Sequence, residues 1–195
     1  MKCYALLPVK KLEKAKTRLS KALSESQRRA LVLRLFIRTA RLCEKAGLEV
    51  VSVTSDPVVA EASERRGWGL VVDKGLGLNG SLKAAIEKLS EGPMLVVLPD
   101  LPFLRTENIQ TVLSIGRTTG CVICPDLRLK GTNMLYLSSV NGFTPMFGYD
   151  SYRRHLTSLL RLYPASTFVE LGTALDIDTP NDLLLLSKLS TRPDV

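Results

Sequence analysis

Short apolar runs of strand length alternate with longer stretches of helical periodicity along most of this 195-residue chain, and that alternation constrains the fold more than any other feature. The strand-like runs are residues 3–7, 49–54, 70–72, 94–98, 120–124, 134–137 and 166–170. Helix-like stretches fall at 24–46, 58–66, 81–89 and 106–115, with two more at 149–162 and 180–189. The punctuation agrees: Ser24 suits an N-cap, Asp56-Pro57 puts proline in a first turn, and Gly47 suits the position after a helix end. The pattern predicts an α/β fold, a mostly parallel central sheet with helices on both faces, whose ligands sit outside the carboxyl ends of the strands. The length predicts one domain over residues 1–190, with 191–195 as a frayed tail.

Composition narrows the function. With 45% apolar and 24% charged residues, the chain has the means to build a packed core and is not a disordered sequence. No apolar run approaches the roughly 20 residues of a membrane helix. The N-terminus meets charge too soon for a secretory signal, so a cytoplasmic location is expected and no membrane partner. The net charge of +8 is concentrated: residues 1–41 hold 12 Lys and Arg against two Glu, while the remainder is slightly acidic. Such a field calls for an anionic partner, a nucleic acid or a phosphorylated small molecule. Aromatic residues at 6% are too sparse for the stacking platforms of single-strand binding, which argues against nucleic acid. A homodimer is left open.

Several segments carry chemistry. The basic loop after the first strand, Pro8-Val9-Lys10 through Lys16, Thr17 and Arg18, lies at the expected binding edge, where Lys10, Lys16 and Arg18 suit a polyphosphate. Residues 75–80 read Gly-Leu-Gly-Leu-Asn-Gly, a formal dinucleotide fingerprint with Asp100 a further 20 residues on. They follow the third strand rather than the first, so a nucleotide-contacting turn competes with an NAD-dependent oxidoreductase site. Asp100, between Pro99 and Pro102, leaves an apolar strand where a carboxylate is placed to hold a divalent cation. Asp176 and Asp178, two apart, share a face if extended, and Asp178 with Asp100 would suit magnesium; the same segment also reads as helix-capping chemistry before Pro180. Gly131-Thr132-Asn133 and the segment from Phe147 to Ser151 make small polar clusters fit for an anion. Cys121 and Cys124 have ligand spacing but read as opposite faces of a strand, hence as core. The single histidine, His155, has no nucleophile to serve, so a hydrolytic triad is excluded.

Taken in order, Pro8-Val9-Lys10 with Lys16 and Arg18-Leu19, Gly77-Leu78-Asn79, Asp100-Leu101-Pro102, Gly131-Thr132-Asn133, Phe147-Gly148 with Ser151 and His155, and Asp176-Ile177-Asp178-Thr179-Pro180 resemble the 2-phospho-L-lactate guanylyltransferase family, CofC and its FbiD relatives, over residues 3–186. The resemblance implies the nucleotide-diphospho-sugar transferase (GT-A, MobA-like) fold and GMP transfer from GTP to a phosphorylated three-carbon acid in coenzyme F-420 biosynthesis. It implies magnesium on Asp100, Asp176 and Asp178. Pro8, Lys10, Lys16, Arg18, Gly77, Asn79 and Ser81 would serve the nucleotide, with Lys10, Lys16, Arg18 and Asp100 carrying catalysis. Thr132, Asn133, Gly148, Ser151 and His155 would serve the acceptor, whether phospholactate, phosphoenolpyruvate or 3-phosphoglycerate. Another MobA-like nucleotidyl transfer is the nearest alternative inside the class.

Overall fold

The computed structural model describes residues 2–89 and 92–190; the expected frayed tail lies outside the described residues. The first strand, β1 (Tyr4–Val9), is central because almost every residue in it is apolar and can be covered on both faces. It pairs in parallel with β2 (Glu49–Thr54) on one side and β4 (Met94–Val97) on the other. With β3 (Gly69–Val72), β5 (Cys121–Pro125), β6 (Thr132–Leu137) and β7 (Ala165–Thr167), the sheet runs β3-β2-β1-β4-β6-β5-β7. Only β6 is antiparallel, to both β4 and β5, so the seven expected strands form a mostly parallel sheet.

Helix α1 (Glu25–Lys45) starts from a capping box in which Ser24 and Gln27 serve each other's backbone N–H groups. Helix α2 (Pro57–Glu64) starts where Asp56 accepts from Val58 and Val59 N–H. Along each strand the side chains alternate between two cores. Ala5, Leu7, Leu95, Val97, Val122 and Cys124 pack on the face covered by α1 and by α4 (Thr106–Thr119). Leu6, Met94, Val96, Cys121, Ile123 and Leu135 face α3 (Gly77–Leu89) and α5 (Ser151–Leu159). Cys121 and Cys124 thus point into opposite cores, and burial pushes both thiols up, Cys121 to about 12. Set on opposite faces of the sheet, the two do not converge on one site.

Two boundaries differ from the expected ones in ways that matter. Helix α3 begins at Gly77 rather than Ser81, so the glycine segment is mostly first helical turn instead of open loop. The last strand shrinks to three residues and is followed by a short helix, α6 (Leu171–Ala174), before α7 (Pro180–Ser190). Helix α4 continues past Ile115 because Gly116 lets it lie flat on β6; a Cβ there would sit 2.1 Å from the Tyr136 ring. Gly116→Ala is therefore expected to destabilise the protein by about 1–3 kcal/mol through forced displacement of that ring, measurable by urea unfolding.

Candidate active site

The parallel strands bring their carboxyl ends to one edge of the sheet, and β6, running the other way, brings its first residue, Thr132, to the same edge. Asp100 leaves β4 there. The segment of Asp176 and Asp178 is laid beside it by a backbone bond from Ile177 N–H to the Asp100 carbonyl, 3.2 Å. Ile177 is fully buried with Leu19 and Leu35, so the residues on either side of it turn the opposite way. The result is a cluster in which one carboxylate oxygen from each of Asp100, Asp176 and Asp178 lies within 4.8 Å of the others.

The capping role open to Asp178 is taken by Asp182, whose Oδ2 accepts from the N–H groups of Asp178 and Thr179 and from the Thr179 hydroxyl at 2.6–2.9 Å. Thr179-x-x-Asp182 is a capping signal legible in the sequence, and reading it frees Asp178 for the cluster.

Into the cluster reaches Lys16. Its Nζ lies 2.5 Å from Asp100 Oδ2 and 2.5 Å from Asp178 Oδ1. The residue sits at φ 52°, ψ 40°, a left-handed conformation that a lysine adopts only where its surroundings impose it. Those surroundings are two short 3-10 turns, Leu12–Lys14 and Thr17–Lys21, which the basic loop forms in place of irregular chain. The first is pinned by Asp56, which accepts from Leu12 N–H at 2.8 Å with its second oxygen; the second is anchored by buried Leu19. Arg18 extends outward, 4.0 Å from Asp178 and mostly exposed, and Lys10 is exposed at the end of β1. Pro8 is buried within β1 opposite Val53.

The charges are strongly coupled. Burial works to lower the Lys16 ammonium, but Asp100 and Asp178 outweigh it and its pKa is raised. Burial works to raise Asp178; Lys16, then Arg18 and Lys10, outweigh it and its pKa falls. Among the described residues Asp176 has no such partner at contact distance. Burial, then Asp100 and Asp178, push it up to about 6. Asp100 Oδ1 is buried with no hydrogen-bond partner. An orphaned buried carboxylate oxygen beside two further carboxylates is an all-oxygen donor set suited to a hard divalent cation.

A second group forms around the turn before α5. Asn79 grips Phe147 by both backbone groups, donating to its carbonyl at 3.0 Å and accepting from its N–H at 2.7 Å. Its amide is spent on shaping the turn. Ser81 donates to Asp73 and to the Gly77 carbonyl, and Asp73 also receives Gly75 N–H, so Asp73 closes the glycine turn, a role the sequence reading missed. Gly77 is exposed at φ +70°, and Gly148, at φ +114°, has open space where a side chain would be. Ser151 is buried at the start of α5, and the Asn133 amide donates to the Thr173 and Ala174 carbonyls. His155 is fully buried, bonded to Thr132 Oγ1 and Met146 N–H, so both ring nitrogens are engaged within the protein, where the resemblance implied a contact with the acceptor. Burial, then Arg154, lower it to about 4, and the ring is neutral at pH 7.

Two substitutions should move stability in opposite directions. Lys16→Met leaves Asp100 and Asp178 facing each other and is expected to cost about 1–3 kcal/mol in buffer free of divalent ions. The Asp176 carboxyl is raised in the folded state, so its ionised form opposes folding above pH 6. Asp176→Asn is expected to raise the melting temperature by roughly 2–4 °C at pH 8. That gain should fade as the pH falls from about 6 toward the ordinary carboxylate range and vanish below it, where both states carry the proton.

A match to the family model described as "Guanylyl transferase CofC like" covers residues 3–188. The chain is 36% identical over 194 residues to the phosphoenolpyruvate guanylyltransferase of Thermobaculum terrenum, covering 97% of this chain and 84% of that protein. It is 30% identical over 183 residues to the 2-phospho-L-lactate guanylyltransferase of a Methanocaldococcus species, covering 91% and 78%. A solved structure assigned to the nucleotide-diphospho-sugar transferases, from Desulfovibrio desulfuricans G20, superposes with TM-score 0.81 at 17% identity over 100% of this chain and 90% of that one. The dinucleotide reading of residues 75–80 loses its support here, since the family model and the relatives are guanylyl transferases and the turn follows β3 at the edge of the sheet rather than the first strand. By its sequence over nearly its whole length, and in agreement with its fold, the chain belongs to the CofC-like guanylyl transferase family.

Proposed function

We propose that this protein transfers GMP from GTP to the phosphate of a three-carbon acid, with phosphoenolpyruvate or 2-phospho-L-lactate as the leading acceptors and 3-phosphoglycerate as a third, releasing pyrophosphate in a step of coenzyme F-420 biosynthesis. The observation that carries the proposal is the cluster of Asp100, Asp176 and Asp178 around the Lys16 ammonium, in a chain of this family. The more similar of the two relatives above acts on phosphoenolpyruvate, which favours that acid.

The three aspartates would hold a divalent cation, magnesium by its hard-oxygen preference, and such an ion neutralises phosphate charge and polarises the reacting phosphoryl group. Lys16 and Arg18, with Lys10 at the mouth, supply the fixed positive charge that a triphosphate and a departing pyrophosphate need. An oxygen of the acceptor phosphate attacks the α-phosphorus, the bond from that phosphorus to the bridging oxygen breaks, and pyrophosphate leaves with the electron pair. With a second pKa near 6 the attacking phosphate is already largely dianionic at neutral pH, so no general base is required. This accounts for a site built from lysine, arginine and aspartate with its one histidine buried. Thr132, Gly148 and Ser151 would hold the acid at the edge of β6, and Gly77, Asn79 and Ser81 would shape the nucleotide side. Alignment of two anions by this frame is the main contribution the chain can make, worth several kcal/mol in such reactions.

The test incubates the protein with magnesium, each nucleoside triphosphate in turn and the three acids, reading pyrophosphate release and product mass. GTP with at least one acid should give a guanylyl product; a folded protein inert with every pair ends the proposal. Asp100→Asn should lower kcat at least about 100-fold with the melting temperature nearly unchanged.

A further inference from the structure

The chain has one histidine, and both of its ring nitrogens are committed inside the protein. Met146 N–H lies 3.0 Å from Nε2. A backbone N–H can only donate, so Nε2 carries the lone pair, and the single proton of the neutral ring is on Nδ1. Nδ1 in turn is 3.0 Å from Thr132 Oγ1, so the ring donates and the threonine oxygen accepts. That settles what the hydroxyl does next. Its oxygen is engaged by the ring, while its own proton has no acceptor among the described residues, although Thr132 is only 2% exposed. A buried donor left unspent costs free energy unless a ligand takes it.

The ring has little freedom to choose otherwise. His155 is 0% exposed, with Phe147 edge-on at 4.8 Å and Phe143 at 5.9 Å between centroids. Met146, whose N–H it accepts, lies two residues before Gly148, and the intervening Phe147 is the residue that Asn79 grips. The same imidazole therefore fixes the turn that carries Gly148 and the polarity of the Thr132 hydroxyl.

We propose that His155 is a positioning residue of the acceptor site, which compels the Thr132 hydroxyl to donate its hydrogen bond to an anionic oxygen of the phosphorylated acid. The inference rests on the reading of Thr132 as an acceptor contact. It adds a selectivity rule: the site takes a group that accepts at this point, such as phosphate or carboxylate, and rejects one that can only donate.

Because the ring is unique in the chain, its nitrogens give one assignable pair of resonances in 15N-labelled protein. At pH 7 the proton is expected on Nδ1, with Nε2 unprotonated, and added phosphoenolpyruvate, phospholactate or phosphoglycerate should shift the Nδ1 signal. A proton found on Nε2 overturns the inference, as does a ring signal that none of the acids moves while turnover proceeds. If the signal moves and no pyrophosphate is released, the transfer reading falls and this one stands. Kinetics supply the second arm. Thr132→Val and His155→Phe should each raise KM for the acid about 10-fold or more, with kcat and KM for GTP within about twofold. Thr132→Ser should restore the acid KM, and the double variant should be no worse than Thr132→Val alone, because one interaction is lost in both. Penalties that multiply, or a KM for GTP that rises in parallel, overturn the assignment. Should His155→Phe fail to fold, the tautomer measurement and the Thr132 pair decide it.

Discussion

The ammonium of Lys16, held between Asp100 and Asp178, is the interaction on which the rest of the site depends. Three carboxylates gathered within 4.8 Å repel one another, and in a partly buried pocket that repulsion is screened much less than in water. A cation among them is what lets the cluster exist in a stable fold. The opposite pKa shifts of Asp178 and Asp176 follow from its position. Asp178, which touches Lys16, is held low, while Asp176, which does not, is pushed up by burial and by its neighbours.

That contact joins parts of the chain far apart in sequence, and each is held by a different device. Lys16 is set in its left-handed conformation between two 3-10 turns, one tied to the start of α2 by Asp56 and one held by Leu19 in a small core with Leu35 and Ile177. Asp100 follows a strand buried on both faces. Asp178 is presented by Ile177, which is anchored in a small core with Leu19 and bonded to the Asp100 carbonyl, and is released from capping duty by Asp182. Leu19 and Ile177 meet in one cluster, so the packing that orders the basic loop also orders the carboxylates it faces. On the other flank, Asn79 and His155 hold adjacent residues of a single turn, which gives the proposed acceptor side a rigid wall made of buried hydrogen bonds.

Much of this was legible in the chain. The inner strands were readable because a strand covered on both faces must be almost wholly apolar, and such runs stand out. Helix starts were readable where Ser24 and Asp56 announce them. The carboxylate cluster was readable because Asp100 ends a central strand and Asp176 and Asp178 alternate about an apolar residue. Less visible was the bond from Leu12 N–H to Asp56, and the one from Gly75 N–H to Asp73, because a backbone N–H is a partner that almost any residue offers. Asn79, Ser81 and His155 looked like ligand contacts in one dimension. In three, their polar atoms are largely taken up by the protein itself.

The sequence by itself determined the alternation of strands and helices, the edge of the sheet where charge would collect, and the residue types able to meet a polyphosphate. These follow from periodicity and residue chemistry, which are local. The tertiary structure alone decided which charges touch, which hydroxyl is left with a proton to give, and which way a single imidazole carries its hydrogen. Those properties depend on distances of a few ångströms between residues on different elements, which the packing of Leu19 on Ile177, the register of β4 with β6 and the seating of α5 against the Phe147 turn fix.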